Sequence, residues 1–169
     1  LPIYARTRLR WQSFIALGKV AIGADGAQIT RNARLALRAE GGAVLASDNA
    51  DLPTNLLFMT GGDTSVRGYG YRRIGATTDS GGTYGGRYLA VASMEWQRPI
   101  AIRGDLTHWE SAVFIDAGAV SNQLRQLQAQ VGIGAGLRWR SPVGPLQTDL
   151  AWGVQDKRLR LHLRLGFSF

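Results

Sequence analysis

Three charged side chains stand out for the contacts their types allow. Arg67 lies in a glycine-rich stretch, and the carboxylates Glu95 and Asp116 each lie in an apolar, strand-like run. A buried carboxylate is costly unless paired. A guanidinium pairs with carboxylates in a two-pronged geometry that lysine cannot copy. Gly68, directly after Arg67, permits a tight turn or a close backbone approach. The chemistry suggested is a noncovalent clamp between a loop and a wall. Taken singly, each charge has a plainer reading: Asp116 as a solvated carboxylate, Arg67 as a surface-loop arginine. Acid–base chemistry has less support. The histidines are His108 and His162. His108 stands near Asp105 and Glu110, but no matching nucleophile follows. His162 lies between Arg160 and Arg164 with no carboxylate close in sequence. The absence of cysteine removes a thiolate nucleophile, a thiolate zinc site and a disulfide framework. No catalytic residue, metal site, cofactor or enzyme activity is expected.

The elements that position these residues are strands. Side chains at i and i+2 of a strand share a face, and seven segments show that alternation. They are predicted at about Tyr4–Leu17, Asn32–Ala46, Arg87–Arg98 (ended by Pro99), Glu110–Val120, Gln128–Arg140 (ended by Ser141-Pro142), Leu146–Val154 and Leu159–Phe169. Gly23-Ala24-Asp25-Gly26 is a turn signal between the first two, and Ser141–Pro145 makes a hairpin of the fifth and sixth. Between the second and third strands, about Ser47 to Gly86, period-2 patterning fades and glycine-rich turn chemistry takes over. No helix is convincingly encoded. Asn122–Gln130 has helix-forming composition but reads as a loop. Alternation places Glu95 and Asp116 on one face, with Phe114 and Gly118 beside Asp116, while Val113, Ile115 and Ala117 point the other way.

The charge pattern follows the same period. Lys and Arg number 20 against 12 Asp and Glu, a net charge of +8, and all but Lys19 and Lys157 are arginine. Arg6, Arg8 and Arg10 alternate with Thr7, Leu9 and Trp11; Arg160 and Arg164 interleave with Leu161, Leu163 and Leu165. A nucleic-acid-binding sheet needs aromatic residues on its basic face. Here the aromatics sit opposite the arginines, so no nucleic-acid partner is expected.

With 169 residues, 45% of them apolar, the chain has one domain's length and can fold. No apolar run approaches the roughly 18–20 residues of a membrane helix. A membrane β-barrel leaves no such run, because its strands alternate. The last segment fits that alternative. Leu159, Leu161, Leu163, Leu165, Phe167 and Phe169 share one face, and Arg160, His162, Arg164, Gly166 and Ser168 the other. Its length suits a tilted bilayer crossing. The fifth segment repeats the scheme, with Gly132, Gly134 and Gly136 inward, where they would leave room in the lumen and let the wall bend. A soluble sandwich would instead bury the Leu, Trp and Phe faces in its core.

Gly61-Gly62-Asp63-Thr64-Ser65-Val66-Arg67-Gly68-Tyr69 resembles the signature of the BamA/TamA superfamily of outer-membrane assembly and polypeptide-transport barrels. Ser93-Met94-Glu95-Trp96, Phe114-Ile115-Asp116-Ala117-Gly118 and the terminal Leu163–Phe169 resemble further motifs of that superfamily, in the right order. The Gly61–Tyr69 and Gly86–Pro99 forms look most like TamA. The resemblance implies a large extracellular loop, residues 47–86, folded back into the barrel. It implies that Arg67, Gly68 and Tyr69 lock this loop to Glu95 and Asp116 on the inner wall. It also implies a terminal β-signal and gate strand carrying Leu165, Gly166, Phe167 and Phe169, where Gly166 either weakens pairing at the seam or fills a crowded spot. The fold class implied is all-β: the C-terminal seven strands or so of a 16-stranded antiparallel transmembrane β-barrel. Seven strands leave two open edges, which hydrocarbon does not tolerate, so a fragment of a longer chain or a truncated reading frame is expected. No signal peptide or periplasmic POTRA domain is read in it.

The implied function is assembly or translocation of outer-membrane proteins, with client strands accepted at the barrel seam. The alternatives are a two-partner-secretion transporter pore or a BamA-like assembly factor. The implied partners are the outer-membrane bilayer, client outer-membrane or secreted proteins, and an inner-membrane-anchored TamB-like protein.

Overall fold

The computed structural model describes residues 3–22, 29–47, 50, 52–78, 80–102, 105–142 and 144–166. Among these residues nine strands are formed: β1 (Tyr4–Ile22), β2 (Ile29–Ala46), β3 (Ala76–Thr77), β4 (Thr83–Tyr84), β5 (Tyr88–Ile102), β6 (Asp105–Ser121), β7 (Gln130–Ser141), β8 (Gly144–Gly153) and β9 (Arg158–Leu165). Seven of them form one sheet in the order β1-β2-β5-β6-β7-β8-β9, and every pairing is antiparallel. The sheet is therefore an up-and-down meander. The one long excursion is the segment between β2 and β5. It returns across one face of the sheet and carries the small β3–β4 ribbon.

Alternation sets the two faces. Leu159, Leu161, Leu163 and Leu165 are 58–70% exposed on the outer face, whereas Glu95, Asp116, Arg138 and Asp149 are at most 9% exposed on the inner one. The arrangement inverts that of a soluble sandwich: the apolar side chains are outside and the charges inside. The hydrophobic core lies between the returning loop and the inner wall. Val44, Leu89, Val91 and Val120 of the wall pack with Phe58, Val66, Tyr69 and Ile74 of the loop. Phe58 rests on Gly42, where a Cβ would come within 2.6 Å of its ring.

Several strand ends differ from the sequence reading. β1 and β2 run further toward the turn that joins them, and β1 absorbs a bulge between Ala16 and Lys19, where Gly18 adopts φ 80°. Gly23–Gly26 lies outside the described residues. Pro99 does not end its strand. It pairs with Glu110, the ladder is irregular directly after it, and β5 continues to Ile102. An irregular site is where a strand accommodates a residue without an N–H. β7 starts at Gln130 rather than Gln128, and β8 ends at Gly153, so Val154 belongs to the turn before β9. The stretch before β7 holds one turn of 3₁₀ helix, Leu124–Gln126. β9 ends at Leu165. Gly166 follows it at φ 108°, and its N–H donates to the Pro145 carbonyl at 3.0 Å. Among the described residues nothing lies within 4 Å of a Cβ built on Gly166, so that position is not crowded. Phe167, Ser168 and Phe169 lie outside the described residues.

Candidate functional site

The loop makes a sharp turn at Val66-Arg67-Gly68-Tyr69 where it meets the wall. Gly68 has φ 92°, and a Cβ there would lie 2.8 Å from the Gly153 nitrogen and 2.9 Å from the Trp152 carbonyl carbon. Both conditions call for glycine. The wall is relieved at the matching places. A Cβ on Gly132 would lie 1.7 Å from the Arg67 carbonyl oxygen, one on Gly153 2.6 Å from the Gly68 oxygen, and one on Gly118 2.5 Å from Val66 Cγ2. Of the inward glycines Gly132, Gly134 and Gly136 expected to leave room in the lumen, Gly132 leaves room that the loop fills, whereas a Cβ on Gly134 or Gly136 would meet wall atoms of β6, β7 and β8 instead.

Arg67 reaches into the wall from this turn. Its Nε donates to Asp116 Oδ2 at 2.7 Å and its Nη2 to Oδ1 at 3.0 Å, while its backbone N–H donates to Oδ2 at 3.1 Å. Nη1 donates to Glu95 Oε2 at 2.5 Å and to Asp149 Oδ2 at 3.2 Å. The guanidinium lies 3.4 Å above the centre of the Phe114 ring, a cation–π contact. Arg138 closes the circuit: its Nη2 donates to Glu95 Oε1 at 2.8 Å and its Nη1 to Asp149 Oδ1 at 2.5 Å. Ser93 Oγ donates to Asp116 Oδ1 at 2.6 Å, and Gln97 Nε2 to Glu95 Oε1 at 2.5 Å.

All six oxygens of Glu95, Asp116 and Asp149 are therefore engaged. Burial alone would drive the Arg67 proton off, but the hydrogen bonds and charge of Asp116, together with Glu95, outweigh it. Arg67 holds its proton more tightly than a free arginine. The cluster thus joins the loop turn to side chains of β5, β6, β7 and β8.

A second set of contacts ties the same turn to β9. The Gly68 N–H donates to His162 Nε2 at 3.1 Å, and Arg160 Nη1 donates to the Gly68 carbonyl oxygen. Arg164 donates to the Asp63 carbonyl. These are the three successive inward residues of β9. Tyr69 anchors the other side, its hydroxyl donating to Gln155 Oε1 at 2.6 Å and lying 3.2 Å from the Val131 carbonyl.

Of the residues singled out in the sequence, Arg67, Gly68, Tyr69, Glu95, Asp116, Phe114 and Gly118 come together. Leu165 and Gly166 stand apart, at the far end of β9, and Phe167 and Phe169 are outside the described residues. Asp149, Arg138, Ser93, Gln97 and Gln155 join the site unpredicted. Alternation alone would have put Asp149 on the inner face of β8 between Thr148 and Leu150. Its partner becomes visible only once the register pairs β7 with β8.

The Omp85 superfamily domain matches residues 4–169. The chain is 32% identical over 135 residues to the outer membrane protein assembly factor BamA of Nitratidesulfovibrio vulgaris, which covers 78% of this chain and 17% of that protein. The chain thus spans about a sixth of that curated relative's length. It also superposes on the crystal structure of BamA from Haemophilus ducreyi lacking POTRA domains 1-3, with a TM-score of 0.67 at 18% identity, over 96% of this chain and 34% of that one. The seven-stranded wall, apolar outside and charged inside, is part of an outer-membrane β-barrel, and the chain belongs to the Omp85 superfamily.

Proposed function

We propose that the protein containing this chain assembles other outer-membrane proteins, with β9 accepting client β-strands by strand addition. The observation that carries this reading is the arrangement around β9. It is paired with β8 alone among the described strands, and its three inward side chains grip the clamped loop. The loop braces β9 from inside, as strand addition along its backbone would require. Arg67, Gly68, Tyr69, Glu95 and Asp116 serve as the loop-to-wall lock, and Phe114 and Gly118 shape its seat. Gly166, in a left-handed conformation directly after β9, lets the strand bend at its end. The activity needs no covalent step.

Two members of the superfamily are the nearest readings. The Gly61–Tyr69 form supports a TamA-like factor, whose inner-membrane partner would be TamB-like. The 32% identity to a protein named BamA supports a BamA-like one.

Cross-linking tests the proposal. The sequence has no cysteine of its own, so one introduced in the full-length protein as Leu161→Cys reports contacts of β9 alone, if the remaining chain is also free of cysteine. Disulfides from this position to the terminal strand of a client, in a single register, are expected. Cross-links formed instead from the inward Gln97→Cys position would mean passage through the lumen, as in a two-partner-secretion pore, and would overturn the seam reading.

A further inference from the structure

We propose that Arg98, with Trp96 and the Trp109–Trp139 pair, forms a site for the phosphate of an anionic lipid headgroup on the outer wall. Arg98 faces outward on β5. Its register row continues through Ser111, Leu137, Thr148 and Leu163. The neighbouring rows carry Trp96, Val113, Ala135, Leu150 and Leu161 on one side, and Trp109, Trp139, Leu146 and Leu165 on the other. Arg98 is the single charge in these rows. Its guanidinium has no hydrogen bond or ion pair among the described residues, although every inward arginine on β7 and β9 named above has one.

An unpaired cation on a lipid-facing wall is unfavourable near the bilayer centre and nearly neutral near the interface. Position decides between these. The connections at one end of the sheet span residues 47–87, 122–129 and 154–157, and those at the other end span 23–28, 103–104 and 142–143, so the second end is the one with the shorter connections taken together. Short turns mark the periplasmic side of such barrels. Arg98 is four residues from the end of β5, roughly 13 Å along the strand, and less in depth because barrel strands tilt. The Arg side chain can span that remainder and place its charge at headgroup level.

The aromatic residues mark the same level. Trp109 and Trp139 are register partners on the short-turn side of Arg98, and they stack with centroids 5.6 Å apart at 13°. Trp96 flanks Arg98 on the other side and is 40% exposed. Tryptophan collects at the membrane interface, where its ring is apolar and its N–H polar. The guanidinium and the indole N–H groups are donors only, so the complementary group is an acceptor-rich anion, and a phosphodiester fits.

The proposal rests on the outer face meeting lipid, and the test separates the two. The full-length protein is reconstituted in phosphatidylcholine vesicles containing a small fraction of brominated lipid, and tryptophan quenching is measured. Quenching by brominated phosphatidylcholine reports that the face is in lipid; its absence overturns the membrane reading itself. Brominated phosphatidylglycerol is expected to be favoured about fivefold at the site, the factor one basic residue contributes near an anionic surface. Arg98→Gln is expected to lose this preference and Arg98→Lys to keep part of it. Arg98 faces outward and has no partner, so both variants should fold, with heat-modifiable mobility on gels as the check. Equal quenching by the two lipids, or a preference that survives Arg98→Gln, overturns the proposal. Loss of the preference on adding millimolar inorganic phosphate against a chloride control overturns the lipid assignment in favour of a free-anion site.

Discussion

Gly132 and Arg67 are fitted to each other so closely that a single added carbon would separate them: a Cβ on Gly132 would stand 1.7 Å from the Arg67 carbonyl oxygen. The contact is with backbone on the loop side, so no rotamer change can relieve it. Gly132→Ala must push the turn off the wall or bend β7. The expected cost is at the upper end of, or above, the ~1–3 kcal/mol of an overpacked site. Gly144→Ala is a less crowded comparison, with nothing within 4 Å of its Cβ, though its φ of 125° adds its own strain. Urea titration of the refolded protein should show a lower midpoint for Gly132→Ala. An unchanged midpoint would mean that the turn does not sit on Gly132 in solution.

Arg67→Ala leaves Asp116, which is 0% exposed, with Ser93 as its one remaining side-chain donor, and it deprives Glu95 and Asp149 of a partner each. Removing one member of a buried ionic cluster costs about 3–5 kcal/mol. Arg67→Lys should recover only part of this, because an ammonium cannot match both Asp116 oxygens while also reaching Glu95 on β5. Trypsin provides the readout. Arg72 and Arg73 are exposed in side chain, but their backbone is held by N–H bonds to the Gly61 and Gly70 carbonyls. Cleavage there requires the loop to open. It should be slow in the unaltered protein, faster in Arg67→Lys and fastest in Arg67→Ala. Equal rates in all three would show that the clamp does not hold the loop.

The wall was legible in the sequence and the interlock was only partly so. Period-2 alternation is a local property, and it marked the seven main strands and the faces of Glu95, Asp116 and Phe114 correctly. Strand ends were less legible, because pairing can carry a strand past a proline: Pro99 keeps its place beside Glu110 through an irregularity that no local pattern announces. The β3–β4 ribbon escaped notice because two-residue strands have no period. Arg67 and Asp116 could be linked through motif resemblance. Asp149 and His162 could not, because their roles arise from register and from the loop's path, which bring His162 to Gly68 across 94 residues of sequence.

His162 offers a narrower test of the loop's hold on β9. Its Nε2 accepts the buried Gly68 N–H. His162→Leu leaves that donor without an acceptor, at about 1–3 kcal/mol, whereas a glutamine there can still present an oxygen. Hydrogen exchange at the Gly68 amide should therefore accelerate strongly in His162→Leu and less in His162→Gln. The Arg67 cluster lies on other strands, so trypsin cleavage after Arg72 should change little in either variant. If exchange at Gly68 is unaffected by His162→Leu, the contact does not protect the turn.

The reversed polarity of the sheet makes a final prediction about where charge is tolerated. Val113 is 48% exposed and faces outward on β6, next to Asp116's strand neighbour Ile115, which is 42% exposed on the same face. In a soluble domain an arginine at so exposed a site would be almost neutral. On a lipid-facing wall it costs about 2–4 kcal/mol near the bilayer centre. Val113→Arg is therefore expected to lower the urea midpoint of the vesicle-inserted protein by an amount in that range. Gln128→Arg, in the exposed connection before β7, should leave it unchanged. The same pair in detergent micelles, where the wall is less deeply covered, should differ less. A Val113→Arg protein as stable in vesicles as the unaltered chain would mean that this face does not meet hydrocarbon.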